Sequence, residues 1–170
     1  MRALVVAVIA AGCAAQPVAP QATPSTTPAS AAPSTLAQLE ASRDLDGNLV
    51  GASSVPTVVI VMASWCRACR EELALFDQLR SAHPHVRWLA VNYKQHEEYD
   101  RRGNASAIAA LAHEVPWLRV VPAEEALYIA IGRPTKIPTV LVFRDRALVA
   151  RFDRSERAAP SQDELDALLR

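Results

Sequence analysis

The chain has 170 residues, room for one ordinary domain with appendages. Its 18 Lys and Arg are balanced by 18 Asp and Glu, so the basic surplus of a nucleic-acid binder is absent and no nucleic-acid partner is expected. Hydrophobic residues make up 51%, enough for a buried core, while three cysteines (Cys13, Cys66 and Cys69) are too few for a disulfide-stapled scaffold.

Arg2 precedes an apolar run over residues 3–11. The run is far shorter than the ~20 residues a bilayer-crossing helix needs, and matches the core of a signal peptide. It ends in Ala10-Ala11-Gly12-Cys13. That ending resembles the lipobox of bacterial lipoproteins, with Ala10 where Leu is usual. The resemblance implies a signal peptide over residues 1–12 and a lipidated Cys13 as the first residue of the mature, exported protein. An ordinary cleaved signal with an incidental cysteine is the plainer alternative, and it too takes the chain out of the cytoplasm. If the host is Gram-negative, Ala14 in place of Asp implies transfer to the outer membrane. Residues 14–35 carry Pro17, Pro20, Pro24, Pro28 and Pro33 among Ala, Ser, Thr and Gln. Such a segment cannot bury enough apolar surface to fold, and reads as a semi-rigid extended tether.

From residue 36 to residue 170 the composition is that of a globular domain. Asp46-Gly47, between Leu45 and Leu49-Val50, predicts a hairpin turn. Residues 56–62 (PTVVIVM) predict a central strand buried on both faces. Residues 68–80 place Leu73, Leu75, Phe76 and Leu79 at helical spacing. Residues 86–91 predict a second buried strand. The polar run NYKQHEEYDRRGN that follows is expected to form a loop near the active site, before helices over 105–114 and 124–131. Strands are expected over 139–143 and 147–152, joined by a tight turn at Arg144-Asp145-Arg146. Ser161 and Glu164 form a capping box ahead of a closing helix. This order gives an α/β domain with a central mixed β-sheet flanked by helices.

The chemistry lies in Trp65-Cys66-Arg67-Ala68-Cys69, where a buried strand gives way to a helix. A thiolate is the reactive form of cysteine, and a helix N-terminus favours an anion. Cys66 is the expected nucleophile. Cys69, three residues on along the same helical face, resolves the mixed disulfide. Arg67 and Arg70 add positive charge that favours the thiolate, which would make the pair more oxidising.

With these residues in view, the sequence resembles the thioredoxin superfamily, and within it the TlpA/ResA-like exported reductases. The matching stretches are VVIVMASWCRACREELALFDQL and GRPTKIPTVLVF. The resemblance implies a thioredoxin-like fold and a cis Pro138 facing the dithiol. It further implies an Ile137 backbone that pairs with bound substrate, a site-lining Trp65, and a Glu72 that takes or relays the proton of Cys69. It also implies protein thiol or disulfide substrates, a membrane or periplasmic electron donor, and no cofactor. The sequence departs from the pattern at Ile60, which replaces thioredoxin's buried Asp, at Ala74, which replaces the proline that kinks the helix, and at Arg67-Ala68, a dipeptide that matches no well-known redox class.

The same pair has other uses. A zinc half-site with His83-Pro-His85 is disfavoured, because His-x-His is tighter than the usual spacing; no metal site is assigned. An inert disulfide closing so small a loop would constrain little. A lipoprotein that holds copper or a partner protein through the two cysteines, without turnover, stays open beside the enzyme reading. Glu72 and the family match favour a reductase, whereas Arg67 argues for an oxidant.

Overall fold

Residues 34–156 and 158–170 are described by a computed structural model; Cys13 and the tether up to residue 33 lie outside them. The β-branched run forms β1 (Thr57–Met62), buried at all six positions. Parallel to it runs β2 (Arg87–Tyr93), with Val59 opposite Leu89. On its other side lies β4 (Thr139–Arg144), antiparallel, with Val61 opposite Thr139. The edges are β3 (Arg119–Ala123), parallel to β2, and β5 (Ala147–Asp153), antiparallel to β4. The sheet order is β3-β2-β1-β4-β5, a mixed sheet as the element order predicts.

Alternation along β1 divides the core between two faces. Val58, Ile60 and Met62 meet Phe76 and Leu79 of α2 (Arg67–Ala82), Ile108 and Leu111 of α4 (Ala105–Glu114), and Leu165 and Leu169 of α6 (Gln162–Leu169). Val59 and Val61 meet Leu36 and Leu39 of α1 (Thr35–Ala41) and Leu127 of α5 (Glu125–Ala130). The Ser161–Glu164 capping box forms as expected. The β4–β5 turn places Asp145 and Arg146 at φ 51° and 65°, the left-handed geometry of a two-residue hairpin. At Asp46-Gly47 the turn forms, with Gly47 at φ 82°, but it closes one isolated bridge, Arg43 to Leu49, rather than a strand pair.

Three elements go beyond the sequence reading. The helix α1 is capped by Ser34 and tied to α5 by a 2.7 Å hydrogen bond from Thr35 Oγ1 to the Ala130 carbonyl. Its Glu40 carboxylate, 7% exposed, accepts from Arg146 Nη2 at 2.7 Å and so fastens the helix to the β4–β5 hairpin. The strand β3 contains Pro122, tolerated because β3 is an edge. The expected loop after β2 is instead α3 (Lys94–Glu97) and a 3-10 turn (Tyr99–Arg101). The reason is hydrogen bonding: Glu97, 2% exposed, accepts from Ser64 and Asn92 and ties the segment to the end of β1.

Candidate active site

The strand β1 ends beneath the site, and residues 63–65 lead straight into α2, with Cys66 as its N-cap. The Cys69 N–H donates to Cys66 Sγ at 3.1 Å, so one of the helix's unpaired N–H groups is spent on that sulfur. Cys66 and Cys69 are joined by a disulfide, with Cα atoms 5.2 Å apart. The two sulfurs are not equivalent. Cys66 is 5% exposed and Cys69 is 0% exposed.

The Ile137-Pro138 peptide bond is cis. Because Val61 pairs with Thr139, Pro138 enters β4 at the end of the sheet where β1 hands over to the cysteine loop. Ile137 packs against the hydrophobic cluster that holds Cys66 and Cys69. Beside it runs an open cleft of about 660 Å³, also lined by Lys136, Arg154 and Ser155.

Glu72 lies on α2, three residues beyond Cys69 and 7% exposed. Its Oε2 has no hydrogen-bond partner among the described residues. Burial pushes its carboxyl above the ordinary carboxylate range, and Arg154 opposes the shift only in part. Ile60, where thioredoxin's Asp would stand, is fully buried in the same cluster as the two cysteines. The unbroken sixteen-residue α2 has Ala74 on its exposed face in place of a kinking proline.

Arg67 and Arg70 do less than expected. Arg67 pairs with Glu71 at 3.2 Å and Arg70 with Glu114 at 3.1 Å, both in solvent. Each cation beside the dithiol is therefore offset by a carboxylate, and solvent screens what is left. His83 caps the far end of α2, where it meets Asp166 at 2.8 Å. A helix rising ~1.5 Å per residue puts it well over 20 Å from Cys66, out of reach of a shared zinc.

A second layer of the site escaped the sequence reading. The Trp65 indole N–H donates to the carbonyls of His96 at 3.0 Å and Glu97 at 2.8 Å. Glu97 Oε2 accepts from the Ser64 N–H at 2.8 Å and from the Asn92 amide at 2.7 Å, and its Oε1 accepts from the Ser64 hydroxyl. Arg102 lies over the Trp65 ring at 5.1 Å, and exposed Tyr99 lies 6.3 Å from it, centroid to centroid. One sequence signal pointed here: a half-buried Trp needs an acceptor for its N–H. Nothing in the sequence identified which one.

No protein-family model matches the chain, and no curated protein matches it in sequence. Solved structures do. The chain is similar to DsbF of Mycobacterium tuberculosis, solved in mixed oxidised and reduced forms, at 21% identity over 78% of this chain and 94% of that one (TM-score 0.60). It is similar to a secreted disulfide oxidoreductase of the same organism, homologous to Escherichia coli DsbE, at 18% identity over 75% and 92% (TM-score 0.58). It is also similar to the exposed lipoprotein thioredoxin of Streptococcus pneumoniae at 16% identity over 75% and 95% (TM-score 0.54). At these identities the likeness is one of architecture: the chain has the thioredoxin-like fold, with a Cys66–Cys69 disulfide where β1 meets α2.

Proposed function

We propose that the chain is an exported thiol–disulfide oxidoreductase that reduces client disulfides through Cys66 and Cys69. The observation that carries this reading is the asymmetric pair at the mouth of α2. Cys66, the less buried residue, caps the helix and its sulfur accepts the Cys69 N–H, and Cys69, the proposed resolving residue, is fully buried one turn on. In the reduced state, the Cys66 thiolate attacks a client sulfur. The client S–S bond breaks, a Cys66–client bond forms, and one client thiolate leaves. Cys69 loses its proton and attacks Cys66, forming the Cys66–Cys69 bond and releasing the second client thiolate. Two electrons pass to the client, and a dithiol donor in the membrane or periplasm restores the pair. Trp65 and Ile137 pack against the cluster that holds both cysteines, and the Ile137 backbone is suited to pair with an extended client segment. The test is dithiothreitol-coupled insulin reduction with a parallel copper titration. Turnover supports the enzyme. Tight copper binding with no turnover supports the holding lipoprotein instead.

Glu72 is proposed as the proton acceptor for Cys69. A base must be ionised to accept, and its carboxyl stands above the ordinary range. The resolution rate should therefore climb with pH through the raised Glu72 value and level off above it. In Glu72→Gln the climb should vanish and the plateau fall roughly tenfold to a hundredfold, the usual contribution of a positioned base. Single-turnover kinetics from pH 4 to 9 check both; an unchanged profile removes Glu72 from the mechanism.

We propose further that Cys13 carries the lipid anchor, in keeping with the lipobox-like ending. Full-length protein expressed in a bacterial host should incorporate labelled palmitate and sediment with membranes, whereas Cys13→Ser should do neither. Palmitate-free wild-type protein would contradict the anchor and leave the redox reading intact.

A further inference from the structure

We propose that Glu97 is a positioning residue for the dithiol: its carboxylate holds Ser64, beside the hold of its backbone carbonyl on Trp65, so that Cys66 stays seated as the N-cap of α2. The proposal rests on the exchange reading above.

A carboxylate that is 2% exposed is costly to keep, and its donors are polar groups rather than cations. Two of those donors, a backbone N–H and a hydroxyl, belong to Ser64, two residues before Cys66. The third, the Asn92 amide, also donates to the Met62 carbonyl at 3.2 Å, at the end of β1. The backbone of the same residue holds the next position, since the Glu97 carbonyl accepts the Trp65 indole N–H. One residue therefore grips both residues that precede the reactive cysteine.

The surrounding chain fits this use. Asp100 and Arg101 stand at φ 53° and 57°, a left-handed stretch that folds the segment back. Gly103 then passes so close that a Cβ there would overlap the Glu97 carboxylate. Left-handed backbone at residues other than glycine persists only where its surroundings hold it. If Ser64 and Trp65 slip, Cys66 leaves its cap position and its sulfur loses the Cys69 N–H. Small misplacements at a reacting atom cost much in rate.

Full-length protein tests this through two readouts that need no client: the rate of Cys66 alkylation against pH, and the equilibrium of the couple with glutathione. Glu97→Ala removes all three acceptor contacts. It should slow alkylation at neutral pH by about tenfold or more, the scale expected for a displaced reactive group, and shift the glutathione equilibrium. Glu97→Gln should restore both to within about threefold, because its carbonyl can keep the Ser64 N–H and Asn92 contacts while the Ser64 hydroxyl turns to accept. Unchanged alkylation and equilibrium in a folded Glu97→Ala overturn the proposal, as does a Glu97→Gln that fails to rescue. Should Glu97→Ala not fold, Ser64→Ala, which loses only the hydroxyl contact, decides. A smaller shift in the same direction supports the clamp, and a wild-type profile overturns it. If wild-type protein fails to reduce insulin, the exchange reading falls, while these two readouts still report on the seating of Cys66.

Discussion

Cys66→Ser should abolish insulin reduction, whereas Cys69→Ser should stop turnover by trapping clients. The difference follows from burial and order of attack. Cys66 is the less buried of the two and the nucleophile of the proposed mechanism, so without it no mixed disulfide should form. With Cys66 present and Cys69 replaced, the first exchange proceeds and the second cannot, so a Cys66–client disulfide accumulates. Non-reducing electrophoresis of the Cys69→Ser protein after exposure to exported proteins should show high-molecular-weight adducts that dithiothreitol dissolves. The Cys66→Ser protein should show none. Adducts through Cys69 in the Cys66→Ser protein would reverse the assignment of roles.

Phe76→Ala should lower folding stability by about 3–5 kcal/mol, the usual cost of emptying a core aromatic site. Phe76 is fully buried, and its ring centroid lies 5.1 Å from that of Trp88 on β2. It joins the helix that carries Cys66 to the sheet beneath it. The melting temperature should fall by on the order of 10 °C, with a matching drop in the urea midpoint followed by tryptophan emission. A loss under ~1 kcal/mol would mean that α2 is held mainly by its other contacts. The remaining activity of the folded fraction should be close to normal, because Phe76 touches no reacting atom.

The site was legible where local chemistry dictates structure. A β-branched run bounded by Pro56 reads as a buried strand, Leu73, Phe76 and Leu79 read as one helical face, and the cysteines at their junction read as a thiolate site. The capping box and the β4–β5 turn are equally local. The missed elements depend on distant partners. The strand β3 is five residues long, contains Pro122, and is a strand only because β2 offers it an edge. The helix α1 has seven residues, below the length at which a helix holds alone, and leans on α5 and the Arg146 ion pair. Glu97 sits in the polar run expected to form a loop near the active site; only the fold brings Ser64 and Asn92 to its carboxylate. The pairing of Arg70 with Glu114 is likewise a long-range fact, whereas that of Arg67 with Glu71 is a local i,i+4 contact.

The most direct test is a redox titration of the purified protein in glutathione buffers, with thiol alkylation and mass measurement at each point. The expected result is one reversible two-electron transition in which Cys66 and Cys69 gain and lose alkylation together. A pair that stays oxidised against excess dithiothreitol, or that is reduced but never exchanges with glutathione, would contradict a dithiol enzyme and leave an inert crosslink at the head of α2.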